Sequence, residues 1–142
     1  MNHDYGSPVP DPEPPQQLRK RFHQQLEAID GSVIRLFALV TEAIAAASAA
    51  LLGGDTDAAR QTAARDVAVD ELEGELEQLT ERELLMESPM GADMRYLVSV
   101  LRVVPELERS GDLAQHIAQR AADGLAMRLT PTVRGLLDEM GT

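Results

Sequence analysis

With 24 acidic against 13 basic side chains in 142 residues, the chain carries a formal charge of -11. Nucleic acid is thereby disfavoured as a partner, because phosphate binding relies on clustered Lys and Arg, whereas cations and basic protein surfaces suit the balance. The absence of Cys excludes disulfides, thiolate nucleophiles and thiolate metal sites.

Aromatic residues make up 3% and Trp is absent, while Ala, Leu, Glu, Gln and Arg dominate after the opening residues. These are strong helix formers, so an all-α fold is expected, and the length suits one bundle. No apolar run reads as long enough to span a membrane, and the opening residues lack the basic and apolar regions of a signal peptide. A cytoplasmic protein without direct membrane insertion is the expectation.

In chain order, residues 1–17 hold Pro8, Pro10, Pro12, Pro14 and Pro15 among polar and acidic side chains. Such a composition cannot pack and reads as a disordered tail. From Leu18 to Leu52, the apolar positions Phe22, Leu26, Ile29, Val33, Leu36, Val40, Ile44, Ala47 and Leu51 recur at intervals of three or four. This predicts an amphipathic helix on the order of 50 Å long, stopped by Gly53 and Gly54.

Asp55 or Thr56 caps a second helix predicted to run to about Glu87, with its core stripe at Val69, Leu72, Leu76 and Leu79. Beside the stripe lie Asp66, Asp70, Glu73, Glu77 and Glu81. Like charges at these spacings destabilise an isolated helix, so the flank asks for a compensating positive charge.

Ser88 and Pro89 break the chain, and a third helix is predicted from about Ala92 to Ala122. Its apolar positions cover more than half the circumference, so it should touch two or more neighbours. Arg95, Arg102 and Arg109 recur on the opposite, solvated side. Pro105 removes a backbone donor and is expected to kink the helix. Thr130 and Pro131 then open a fourth, short helix, followed by Val133, Leu136, Leu137 and Met140.

Glu108 and Asp112 lie four residues apart at the edge of the third helix's apolar arc, and Asp66 and Asp70 repeat that spacing on the second. In an antiparallel pair turning near Pro89, Asp70 lies as far before the turn as Glu108 lies after it, and Asp66 matches Asp112 likewise. Four carboxylates are therefore expected at one height, the outline of a hard-cation site. His116 continues the same line but reads as an interfacial histidine, since no second His accompanies it.

The string Leu-Glu-Arg-Ser-Gly-Asp-Leu-Ala-Gln-His-Ile-Ala, from Leu107 to Ala118, resembles the signature of PhoU-type phosphate-signalling regulators. So does Gly-Ala-Asp-Met-Arg at Gly91 to Arg95, and Asp66 with Asp70 is similar to the family's acidic motif on its second helix. The resemblance implies an antiparallel three-helix bundle over residues 18–128, one PhoU-like repeat, with residues 129–142 as the incomplete start of a second.

It further implies metal ligands at Asp66, Asp70, Glu108 and Asp112 for a divalent or trivalent ion such as Mg, Mn, Fe or Zn. The implied role is that of a non-enzymatic adaptor between a phosphate ABC transporter ATPase and a phosphate sensor kinase, repressing the phosphate-starvation response. A homodimer is expected to rebuild the missing half. Two other readings remain at this point: a carboxylate-site metalloenzyme, although the paired Glu-x-x-His motifs of such bundles are absent, and a non-functional fragment of a two-repeat regulator.

Overall fold

The first helix, α1 (Pro15–Gly53), begins with proline at a position where its missing N–H costs nothing. The structure, a computed structural model, describes residues 12–64 and 66–141, and of Asp66 the backbone alone. Helix α1 takes in Pro15, Gln16 and Gln17 from the stretch read as a tail; residues 1–11 of that stretch lie outside the described residues. At its other end Gly54 adopts φ 68°, and its N–H donates to the Ala50 carbonyl at 3.0 Å. That left-handed conformation suits glycine, which stops the helix at the predicted point.

The second predicted helix is two helices. Asp55 accepts hydrogen bonds from the Asp57 and Ala58 N–H groups at 3.1 and 3.0 Å and caps α2 (Thr56–Ala63). The chain turns at Ala64 and resumes as α3 (Asp66–Glu87). No glycine or proline marks the break, so the periodicity reads straight across it. The reason lies in packing: Ala59 of α2 joins a small-residue cluster with Ala50, Leu51, Ala121 and Ala126, whereas Val69, Leu72 and Leu76 of α3 join the main core. The two surfaces need different helix positions.

Ser88 at φ 44° and Gly91 at φ 62° reverse the chain around Pro89 into α4 (Gly91–Ala122), which stays helical through Pro105. A short 3-10 turn, Leu125–Arg128, leads to α5 (Pro131–Met140), whose N-terminus is capped by the Thr130 hydroxyl accepting from the Val133 N–H. Arg134 fastens α5 to the bundle by donating to the Leu52 carbonyl at the end of α1 and to the Ala126 carbonyl at 3.0 Å. At the far end a side chain on Gly141 would fall 3.1 Å from the Ser48 Cβ, so glycine permits that close approach.

Helices α1, α3 and α4 form an antiparallel all-α bundle, and α4 touches α1, α2 and α3, as its wide apolar arc requires. Ile29, Leu36, Leu76, Leu97 and Val104 are fully buried along its axis. Tyr96 donates to Asp30 at 3.1 Å and ties α4 to α1, while Arg21 joins the start of α1 to Glu87 at the end of α3. Thr80 is also fully buried, and its hydroxyl finds no hydrogen-bond partner among the described residues. Replacing it with valine keeps the shape and removes an unpaired polar group, so Thr80→Val should stabilise the fold by about 1–2 kcal/mol. Urea unfolding measures this, and a loss of stability would reveal a partner for the hydroxyl.

One sequence expectation is corrected in α1. An 18-residue window of this helix has a mean hydropathy of 1.9, long and apolar enough by length and composition to cross a membrane, yet only 28% of it is buried. The stripe periodicity drew attention to the buried positions. Between Leu36 and Gly54, however, the positions outside the stripe are also mostly apolar, with Glu42 the lone charge.

Candidate metal centre

The α3/α4 hairpin turns at Pro89, and both helices rise by the same amount per residue, so positions equidistant from the turn stand level. Asp70 on α3 meets Glu108 and Asp112 on α4 in this way: one carboxylate oxygen from each lies within 4.8 Å of the other two. Asp70 is exposed, and the two α4 acids are half-buried. The Asp66 side chain lies outside the described residues; its backbone opens α3 one turn before Asp70.

Nothing basic neutralises these acids among the described residues. Arg109, their sequence neighbour, turns instead to Glu106 at 3.7 Å on the solvated side, and Arg95 and Arg102 are exposed. His116 is exposed and does not belong to the three-acid group. Arg65 lies outside the described residues.

The electrostatics bear the mark of crowding. Glu108 is held above the usual carboxylate range, first by burial, then by a hydrogen bond shared with Asp112 and by the charges of Asp112, Glu73 and Asp70. Glu73 is raised as well, by burial and then by Glu77, Asp70 and Asp112. It therefore borders the centre, although sequence reasoning placed it only on the acidic flank. Its spacing of three from Asp70 was the available signal. On the inner side of α4, Gly111 is buried and lines a small cleft of about 50 Å³ with Leu39, Glu42, Val69 and Gln115.

A pH dependence follows. Glu73, Glu108 and Glu83, the last raised by burial and by Glu87 against the opposing pull of Arg82 and Arg21, all bind a proton more tightly folded than unfolded. Stability from groups of this kind is complete below the unfolded pKa and is lost as pH rises through the folded value. In the presence of a chelator, the protein should therefore become more stable as pH falls from neutral toward the carboxylate range. Thermal melts across that interval check this, and a steady loss of stability over it would contradict the shifts.

Three converging carboxylates without a cationic partner fit a hard cation, which prefers oxygen ligands and would relieve the repulsion. The PhoU domain profile matches residues 33–121. Relatives named phosphate-specific transport system accessory protein PhoU homolog include one from Aquifex aeolicus, 33% identical over 101 residues, covering 71% of this chain and 46% of the relative. Another, from Caulobacter vibrioides, is 30% identical over 102 residues, covering 72% and 44%. A third, from Synechocystis, is 30% identical over 112 residues, covering 79% and 48%. The chain thus spans about half the length of the relatives it matches. With the profile covering most of the bundle, including both halves of the acidic hairpin, the chain belongs to the PhoU domain family.

Proposed function

We propose that this protein is an accessory regulator of phosphate uptake and of phosphate-starvation signalling, a cytoplasmic helical adaptor and not an enzyme. In this reading it associates with a phosphate ABC transporter ATPase and a phosphate sensor kinase, and acts as a negative regulator of phosphate metabolism. The relatives' role in phosphate-specific transport supports the assignment. The observation that carries the mechanism is the approach of Asp70, Glu108 and Asp112 to within 4.8 Å on the hairpin of α3 and α4.

Asp66, Asp70, Glu108 and Asp112 would hold a divalent or trivalent ion, Mg, Mn, Fe or Zn. The ion would supply positive charge to an acidic surface. The residues' own contribution is to bring oxygen donors level on two rigid helices and to link α3 to α4, which fixes the surface that a partner reads. The exposed apolar side chains of Leu113 and Ile117 on α4 support pairing of two copies as a homodimer.

The test is co-purification from cells grown with abundant and with scarce phosphate, using the wild-type chain and a variant carrying Asp70→Asn and Asp112→Asn. The reading expects association with the transporter ATPase or the kinase that depends on phosphate supply and weakens in the variant. Absence of both partners under both regimes would contradict it.

A further inference from the structure

On the outer side of α4, every basic Lys or Arg position of the helix falls on one arc. Arg95, Arg102, Arg109 and Arg120 are all exposed, and at 100° per residue they lie within about 40° of one another. Arg95, Arg102 and Arg109 form a ladder with steps of seven residues, about 10.5 Å each and about 21 Å in all.

Among the described residues Arg95 and Arg102 have no ion-pair partner, and Arg109 has only the exposed contact to Glu106 at 3.7 Å. Exposed pairs of that kind contribute little. On α3, Glu77 and Glu81 continue the acidic flank from Glu73, yet neither reaches an arginine of the ladder. Beside the ladder stand apolar side chains. Met94, 49% exposed, and half-buried Val98 lie on the four-residue ridge that continues to Arg102, and Met90, 84% exposed, precedes them at the start of the helix. Met and Arg side by side are the residue types enriched where proteins touch one another.

We infer that the ridge from Met94 to Arg109 docks an amphipathic helix of a partner protein, one that carries carboxylates along a single flank. The inference deepens the adaptor reading, on which it rests for the existence of a partner, by naming the surface used and the partner's chemistry. Charge selects an acidic occupant, because guanidinium forks pair in bidentate fashion with carboxylates. Period selects a helix: a second helix laid along α4 rises by the same amount per residue and returns one flank position every seven residues, so successive carboxylates meet successive arginines. Glu77 and Glu81 exclude further acids from the flank that would lie over α3. Nucleic acid and anionic bilayers present negative charge across their whole surface, and would meet those glutamates and the rest of a chain of charge -11.

Fluorescence anisotropy with a labelled synthetic peptide tests this. The probe is a three-heptad helix with Leu at both core positions of each heptad, Glu on one flank and Gln on the other, and the reference is a scrambled peptide of the same composition. The wild-type chain should bind the probe at least about tenfold more tightly than the scrambled peptide. Arg95→Glu combined with Arg102→Glu should weaken binding of the probe at least about tenfold. Arg19→Glu combined with Arg35→Glu, at exposed positions of α1, changes the net charge equally and should alter binding less than about twofold, since distant surface charges are screened. Circular dichroism should show the wild-type helical content in both variants, and the milder pair Arg95→Gln with Arg102→Gln should weaken binding in the same direction.

A wild-type chain that ignores the probe, equal binding of the scrambled peptide, or equal loss in the two Glu variants overturns the inference. So does wild-type binding to vesicles containing phosphatidylserine that Arg95→Glu with Arg102→Glu abolishes. The readout needs neither transporter nor kinase, so failure of this surface and failure of the adaptor reading are told apart.

Discussion

Changing Asp70 and Asp112 together to asparagine is expected to weaken affinity for Mn²⁺ by at least about 100-fold, because two charged oxygen donors are lost from the centre. The same substitutions should act with the opposite sign on the metal-free protein. Two unit charges no more than 4.8 Å apart repel by about 1 kcal/mol or more in water-like surroundings and by about 3 kcal/mol or more in the dielectric of a protein surface. Asp70 is exposed, which places its share toward the smaller figure. In chelator the variant should therefore unfold at a higher temperature than the wild type, whereas with Mn²⁺ the order should reverse. Thermal melts of both proteins with and without the ion measure the crossing. A purely structural acidic flank would give the first effect without the second, and that outcome would separate the two accounts.

Leu36→Ala should cost about 2–5 kcal/mol, since the side chain is fully buried where α1 meets the core residues of α3 and α4 and its removal leaves a cavity that rigid helices only partly close. Set against the usual 5–15 kcal/mol of a small domain, that is a large fraction of the total. Leu85→Ala, at a position 81% exposed, should fall within about 0.5 kcal/mol of the wild type. Urea unfolding of the two variants measures the contrast through the shift in midpoint at constant slope. Equal effects would mean that the axis of the bundle does not run past Leu36.

The level placement of Asp70, Glu108 and Asp112 was legible in the sequence, because a hairpin of two α-helices makes height a matter of counting from the turn. The signals at Gly54, Asp55, Pro89 and Thr130 were legible for a similar reason: each rests on local backbone chemistry that tertiary packing did not override. The division of the second helix at Ala64 was not, since it serves two separate core surfaces and carries no residue that breaks a helix. Thr80 and Glu83 continue the buried line of Leu76 on α3, yet a reading that counts apolar residues passes over them. The α1 stretch misled in the other direction. Its apolar positions beyond the core stripe matter because they stay uncovered, which only the arrangement of α4 and α5 around it reveals.

The central claim is that the α3/α4 hairpin binds a metal ion between its carboxylates. The measurement that tests it most directly is anomalous diffraction at the manganese edge from crystals soaked in Mn²⁺. The account predicts a peak in contact with Asp70, Glu108 and Asp112, absent from crystals of the Asp70→Asn, Asp112→Asn variant. A wild-type crystal with no peak at those oxygens, or with manganese bound only elsewhere, would contradict it.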